Sequence, residues 1–221
     1  MASPTSLRER NKADRRQRIY DGAMRLFEER GFQATTFSDI ARAAGVSRGT
    51  VFNYFPYKEA LLIEFFGRHL EALREALACR RVDGVGSHAE AGGGPGAWAL
   101  DELAFLFDAL AAFLEAHRGL VLPLSYELLN PDPERSRRAY LALPLGELLR
   151  DVLTRARAAG TVRDDYSRER LARTLENVYF ITAMQWAAYR QDRSIREELR
   201  KALTLTLEGI ATPPRPAEEP A

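Results

Sequence analysis

Apolar positions recur at helical spacing along most of the chain. Ile19, Ala23, Leu26 and Phe27 fall at i, i+4, i+7 and i+8, and Gly31 ends the stripe. A short helix follows with Ile40, Ala41 and Ala44 on its inner face. It starts at Thr36 and Asp39, a capping-box-like pair in which hydroxyl and carboxylate each take an orphan backbone N–H. Gly45 can end that helix in the left-handed conformation without a Cβ penalty. Val46 is placed to plug the gap after it. Ser47 caps the next helix, whose Val51 and Phe55 share a face, and Pro56 cannot continue it. Two helices of about two turns each cannot stand alone. The pattern therefore predicts a three-helix unit closed by Phe32 and Phe37. Such a unit pushes a small helix out from a compact base, a shape that fits the major groove of DNA.

Beyond this head the pattern stays helical. Ala60, Leu61, Ile63, Phe65, Phe66, Leu70, Leu73 and Leu77 predict a long helix over 57–80. Residues 82–97 hold six glycines and Pro95 and read as a loose loop. Helix returns over 98–117, apolar nearly all round, and near 119–129. Asn130-Pro131-Asp132-Pro133 is a turn that opens a helix to 158, with Pro144 predicting a kink or a break. Gly160 ends it, and Ser167 and Ser194 cap two last helices to 191 and 211. The expectation is an all-α chain of about nine helices. It divides into a helix-turn-helix head with a basic lead-in (1–57), a larger helical body (58–212) and a polar, Pro-rich disordered tail (213–221).

Charge sharpens this picture. Residues 1–58 carry 11 Lys/Arg against 6 Asp/Glu, and residues 59–221 carry 21 against 25, a basic head on a mildly acidic body. That distribution fits a protein that meets phosphates at one end. Arg8, Arg10, Lys12, Arg15, Arg16 and Arg18 form the lead-in, read either as an arm or first-helix contact to DNA or as a solubilising segment. Cys79 is the sole cysteine, which excludes intrachain disulfides and thiolate zinc clusters. No apolar run reaches the ~18 residues of a membrane span, and the N-terminus lacks a signal peptide's apolar stretch. A cytoplasmic protein is expected. His69, His88 and His117, without a Gly-rich phosphate loop beside a strand, make no catalytic constellation, so no enzyme, metal or cofactor is expected.

The ordered set Gly31-Phe32, Thr35-Thr36-Phe37, Asp39-Ile40-Ala41, Ala44-Gly45-Val46-Ser47, Gly49-Thr50-Val51, Asn53-Tyr54-Phe55 and Lys58-Glu59-Ala60-Leu61-Leu62 resembles the TetR family of bacterial transcription regulators over residues 15–66. The resemblance implies that Arg48, Gly49, Thr50 and Asn53 face base edges. It implies that Phe52 and Tyr54 meet backbone or thymine methyls, with Ser47 at the cap of the same helix. Lys58 then lies at a phosphate-binding helix start, and Thr36 and Ser38 at a backbone-facing one. Two positions depart from the family pattern: Phe52 replaces a frequent Tyr, and Tyr57 stands where a small residue is common. The chemistry agrees, since Arg can pair with guanine O6 and N7 and Asn with adenine, while Gly49 permits close backbone approach.

The same resemblance implies an effector cavity in the body, with Phe66, His69, Phe105, Phe113, Tyr126, Asn177 and Tyr179 as candidate walls. Aromatics at helical spacing equally read as plain core. It also implies a homodimer through the last two helices, with Leu171, Leu175, Val178, Thr182, Trp186, Leu199, Leu203 and Leu207 as the candidate interface. Two heads about one DNA turn apart would read a palindromic operator in duplex DNA. The expected function is a repressor released by a small-molecule effector, apolar or aromatic in character. The alternative is a small-molecule or lipid-binding protein of the same fold without sequence-specific DNA binding.

Overall fold

The computed structural model describes residues 7–84, 97–190 and 192–208. Among them are ten helices and no strand: α1 (Leu7–Arg30), α2 (Phe37–Ala44), α3 (Arg48–Tyr54), α4 (Glu59–Gly84), α5 (Ala97–Ala116), α6 (Arg118–Leu128), α7 (Pro133–Leu141), α8 (Leu145–Ala158), α9 (Arg168–Tyr189) and α10 (Ile195–Glu208). The tenth arises at Pro144, where the predicted 133–158 helix breaks in two. Pro144 precedes the first residue of α8, a position where its missing N–H has no helical partner to lose. No helix among the described residues is long and apolar enough to cross a membrane. The tail from 213 and most of the Gly-rich 82–97 stretch lie outside the described residues; 82–84 belong to α4.

The head closes as its pattern requires. α1 packs on α2 and α2 on α3, burying Ile19, Ala23, Phe27, Phe32, Ile40, Val51 and Phe55. The rings of Phe27 and Phe32 meet at 5.0 Å. Gly45 adopts φ 65° and donates its N–H back to the end of α2. The basic lead-in is helical from Leu7, and Arg8, Arg10, Lys12, Arg15 and Arg18 are exposed on it. Arg16 is half-buried instead: it pairs with Glu64 and lies 4.6 Å over the Phe55 ring. Arg68 completes this seam between α1 and α4, bonding Glu64 at 2.6 Å and covering the Tyr20 ring.

In the body α5 is the central element, touching α10, α8, α4 and α6. Its Leu103, Leu106, Leu110, Ala111 and Leu114 are buried in one core with Leu148, Leu149, Val152 and Leu153 of α8. A carboxylate sits in this apolar layer. Glu102 accepts from Arg81 Nε at 2.8 Å and from Arg155 Nη2 at 2.6 Å, tying α4, α5 and α8 together. Burial alone would raise its pKa, but the two guanidinium partners outweigh burial and hold it below the usual carboxylate range.

A carboxyl group whose folded pKa is depressed contributes stability that is present above its unfolded pKa and lost as pH falls through the folded value. Glu102→Gln should therefore cost about 1–3 kcal/mol at neutral pH. Chemical denaturation from pH 7 to pH 3 should show the gap between variant and wild type closing on acidification. A gap that does not change with pH would assign the loss to packing instead.

Candidate nucleic-acid interface and effector cavity

The exposed face of α3 is built by local chemistry. Ser47 Oγ accepts from Thr50 N at 3.1 Å and shares a 2.8 Å hydrogen bond with the Thr50 hydroxyl, so both side chains serve the helix start. Thr36 caps α2 through a reciprocal pair, Asp39 N to Thr36 Oγ1 at 3.2 Å and Thr36 N to Asp39 Oδ2 at 3.1 Å. The hydrogen bonds from Thr36, side chain first and then backbone, hold the Asp39 carboxyl below its ordinary pKa. With these groups engaged, Arg48, Gly49, Phe52, Asn53 and Ser38 remain exposed. Phe52 stacks on Phe37 at 4.3 Å, and the Arg48 guanidinium lies 5.4 Å from the Phe52 centroid. Tyr54 is half-buried and packs against the core.

Gly49 stands out on this face. A Cβ built there would meet only Ser47 Oγ, at 3.9 Å, and the backbone needs no left-handed conformation. Nothing within the chain requires a glycine in this short helix, where it costs about 0.5–1 kcal/mol relative to Ala. Its missing side chain benefits only a surface that approaches from outside.

Lys58 is placed differently from the expectation of a phosphate contact. Its Nζ turns inward, donating to Phe32 O at 2.6 Å and Thr35 O at 3.0 Å, and lies 4.2 Å over the Phe32 ring. Burial lowers its pKa, with Glu59 opposing. The open carbonyls of the α1–α2 turn attract the ammonium more strongly than its sequence position suggests.

The body encloses a cavity of about 210 Å³ between α4, α5, α6, α7, α8 and α9. Of the seven expected wall residues, Phe66, His69, Phe113, Asn177 and Tyr179 line it. Two do not. Tyr126 is 68% exposed on the outer side of α6, and Phe105 sits under the Arg80 guanidinium at 4.3 Å. Both follow from helix phase, since residues on an apolar-all-round helix cannot be assigned to one side by sequence alone. Leu70, Leu110, Leu124, Leu128, Leu143 and Leu145 supply the remaining hydrocarbon. Three polar groups on the wall were not anticipated. Ser125 donates to Val121 O at 2.9 Å, and the Tyr140 hydroxyl donates to Glu176; burial first, and then that bond, pushes the tyrosine pKa up to about 12. Ser125, a hydroxyl directly after the run Leu120–Leu124, is the one signal in the sequence.

One guanidinium joins this wall to the head. Arg135 of α7 donates from Nε to Glu127 at 2.6 Å and from Nη2 to Glu59 at 3.1 Å, and it stacks 4.0 Å over Tyr57. Glu127 is on α6 with 1% of its side chain exposed, while Tyr57 and Glu59 lead out of α3 into α4. The bond to Glu127 is the main cause raising the Arg135 pKa.

The expected dimer face also changes. Leu175, Trp186, Leu199 and Leu203 are buried within the protomer, because α9 and α10 turn these residues onto the α5–α8 layer. Leu171, Val178 and Thr182 are half-buried and Leu207 is exposed. Ile181, Tyr189 and Leu205 are exposed large apolar residues on the same two helices.

Comparison with known proteins extends these observations. Residues 19–65 match the model of bacterial regulatory proteins of the tetR family, and residues 80–209 match the C-terminal domain of TetR/AcrR family transcriptional repressors. The transcriptional repressor KstR2 of Rhodococcus jostii is 30% identical over 210 residues, 91% of this chain and 94% of that protein. The crystal structure of Thermus thermophilus FadR, a TetR-family repressor in complex with lauroyl-CoA, is 45% identical. It covers 93% of this chain and 100% of that one, with a TM-score of 0.79. The FadR of Bacillus subtilis, in complex with stearoyl-CoA, shares the fold at 21% identity, 88% and 99% coverage and a TM-score of 0.64.

Two substitutions separate fold from recognition in the head. Gly49→Ala should stabilise the protein by about 0.5–1 kcal/mol yet weaken binding to cognate duplex about tenfold or more. Calorimetry alongside fluorescence anisotropy checks this, and unchanged affinity would show that no surface approaches Gly49 closely. Lys58→Met should lower thermal stability by about 1–2 kcal/mol through loss of two charge-assisted hydrogen bonds; a Tm equal to wild type would contradict that role.

Proposed function

The chain belongs to the TetR family of bacterial transcription regulators, and we propose that it is the family's kind of repressor whose effector is a fatty acyl-CoA. It is a ligand-responsive, DNA-binding regulator rather than an enzyme, and members of the family bind operator DNA as dimers. The observation that carries the effector class is the 45% identity to a lauroyl-CoA complex. The cavity supports it, being walled by leucines and phenylalanines that suit a hydrocarbon chain. DNA recognition is assigned to the exposed α3 face of Arg48, Gly49, Phe52 and Asn53, with Thr36, Ser38, Ser47, Thr50 and Tyr54 shaping and flanking it. Lys58 is assigned to holding the turn behind that face. Dimerisation is assigned to the outward strip of α9 and α10, with Val178, Ile181, Thr182, Tyr189, Leu205 and Leu207. The site of action is the cytoplasm, where the DNA is.

Arg135 supplies the link between effector and head. The helices it joins, α6 and α7, both contribute to the cavity wall, and its other partners lie directly after the recognition helix. A chain that spreads α6 and α7 moves this anchor, and the dimer population shifts towards one whose heads no longer match successive grooves.

Selection from a random duplex pool should enrich a palindrome, and dodecanoyl-CoA should lower affinity for it by about 10–100-fold, the range of ordinary allosteric coupling. Failure of any acyl-CoA to change operator affinity would end this reading of the effector. Arg135→Met should keep both separate affinities within about threefold while cutting their coupling towards one. Coupling equal to wild type would remove Arg135 from the transmission route.

A further inference from the structure

We propose that His69 reads a carbonyl oxygen on the buried part of the effector, making the cavity selective for an oxygen-bearing chain over a plain hydrocarbon one. The proposal rests on the acyl-CoA reading for its natural ligand. Its argument comes from the cavity's unbalanced polar groups.

The wall's other polar side chains divide clearly. Ser125 is satisfied by Val121 O, Tyr140 and Glu176 pair with each other, and Asn177 is exposed. His69 Nε2 is different: it is buried and has no hydrogen-bond partner, and its ring lines the cavity. The imidazole is held by stacking on Phe113, centroids 3.7 Å apart and 9° from parallel, with His117 4.7 Å from the same phenyl ring. This packing fixes the ring plane. Burial first, and then the neighbouring His117, lower the His69 pKa, so the ring is neutral at physiological pH and carries one N–H; the proposed position of that proton is Nε2, the nitrogen with no partner in the protein. Tyr179 also lines the cavity, and burial raises its pKa and keeps its hydroxyl neutral.

A buried donor without an acceptor costs about 1–3 kcal/mol, which a ligand oxygen recovers on binding. A saturated hydrocarbon recovers none of it. Discrimination by a missing hydrogen bond is sharper than discrimination by a methylene, because the site's own polar group is left unpaired. The complementary group is an acceptor with two lone pairs, and a carbonyl meets that description. It is available either as the thioester carbonyl or as a keto group further along the chain.

The test is a ligand-by-protein cycle read by calorimetric Kd. Dodecanoyl-CoA carries the thioester carbonyl, S-dodecyl-CoA lacks it, and S-(2-oxotridecyl)-CoA places a ketone one carbon further in. Wild type should bind dodecanoyl-CoA about tenfold or more tighter than the thioether. His69→Phe, which keeps an aromatic ring on Phe113, should bring that ratio near one while still binding the thioether. His69→Gln, which restores an N–H donor, should recover part of it. A keto thioether that restores wild-type affinity locates the oxygen one carbon deeper and supports the same donor. Ratios equal in wild type and His69→Phe for both the thioester and the keto thioether, each against the plain thioether, overturn the proposal. If no CoA derivative binds wild type, the acyl-CoA reading fails and 2-undecanone against 1-undecene decides the matter by Tm shift. A greater shift with the ketone in wild type but not in His69→Phe upholds the donor, and equal shifts in both refute it.

Discussion

A helix of seven residues has no stability of its own in water, and the DNA-facing surface of this protein is such a helix. Everything presented on α3 depends on burying Val51 and Phe55 against α1 and α2. The consequence runs outward from that burial. Ser47 and Thr50 are committed to the helix start, Thr36 and Asp39 to the start of α2, and Lys58 to the carbonyls of the turn beneath. The polar groups left over are few and adjacent, and this is what makes the surface a reading face rather than a generally charged one.

The body solves the opposite problem. Its helices have ample hydrocarbon to bury, yet α4 to α9 leave a cavity instead of collapsing onto one another. Around it, Glu102 with Arg81 and Arg155 ties α4, α5 and α8 together, and Arg135 with Glu127 ties α7 to α6. Part-buried ion pairs of this kind fix relative positions, since a displaced partner leaves a poorly solvated charge. The second of them also holds Tyr57 and Glu59. Cavity shape and head orientation therefore share one side chain.

Helix phase explains which site residues were legible. The capping box, the Gly45 turn and the Val51–Phe55 stripe are decided within a few residues, and their sequence carries them. Five of seven cavity residues were found because aromatic and polar side chains on apolar helices are few. Tyr126 and Phe105 were misplaced because α5 and α6 are apolar on several faces. Trp186, Leu175, Leu199 and Leu203 form a row that reads as an interface in the sequence, and the neighbouring helices of the same protomer cover it.

By itself the sequence determined the all-helical class, the architecture of the head and the charge contrast between head and body, because each follows from contacts between near neighbours. Only the tertiary structure decided the inward turn of Lys58, the meeting of Arg135 with Glu59 across 76 residues, and the stacking of His69 on Phe113. Those depend on where separate helices come to rest against one another. That placement is set by the packing of whole faces and by the pairing of buried charges, which no local pattern encodes.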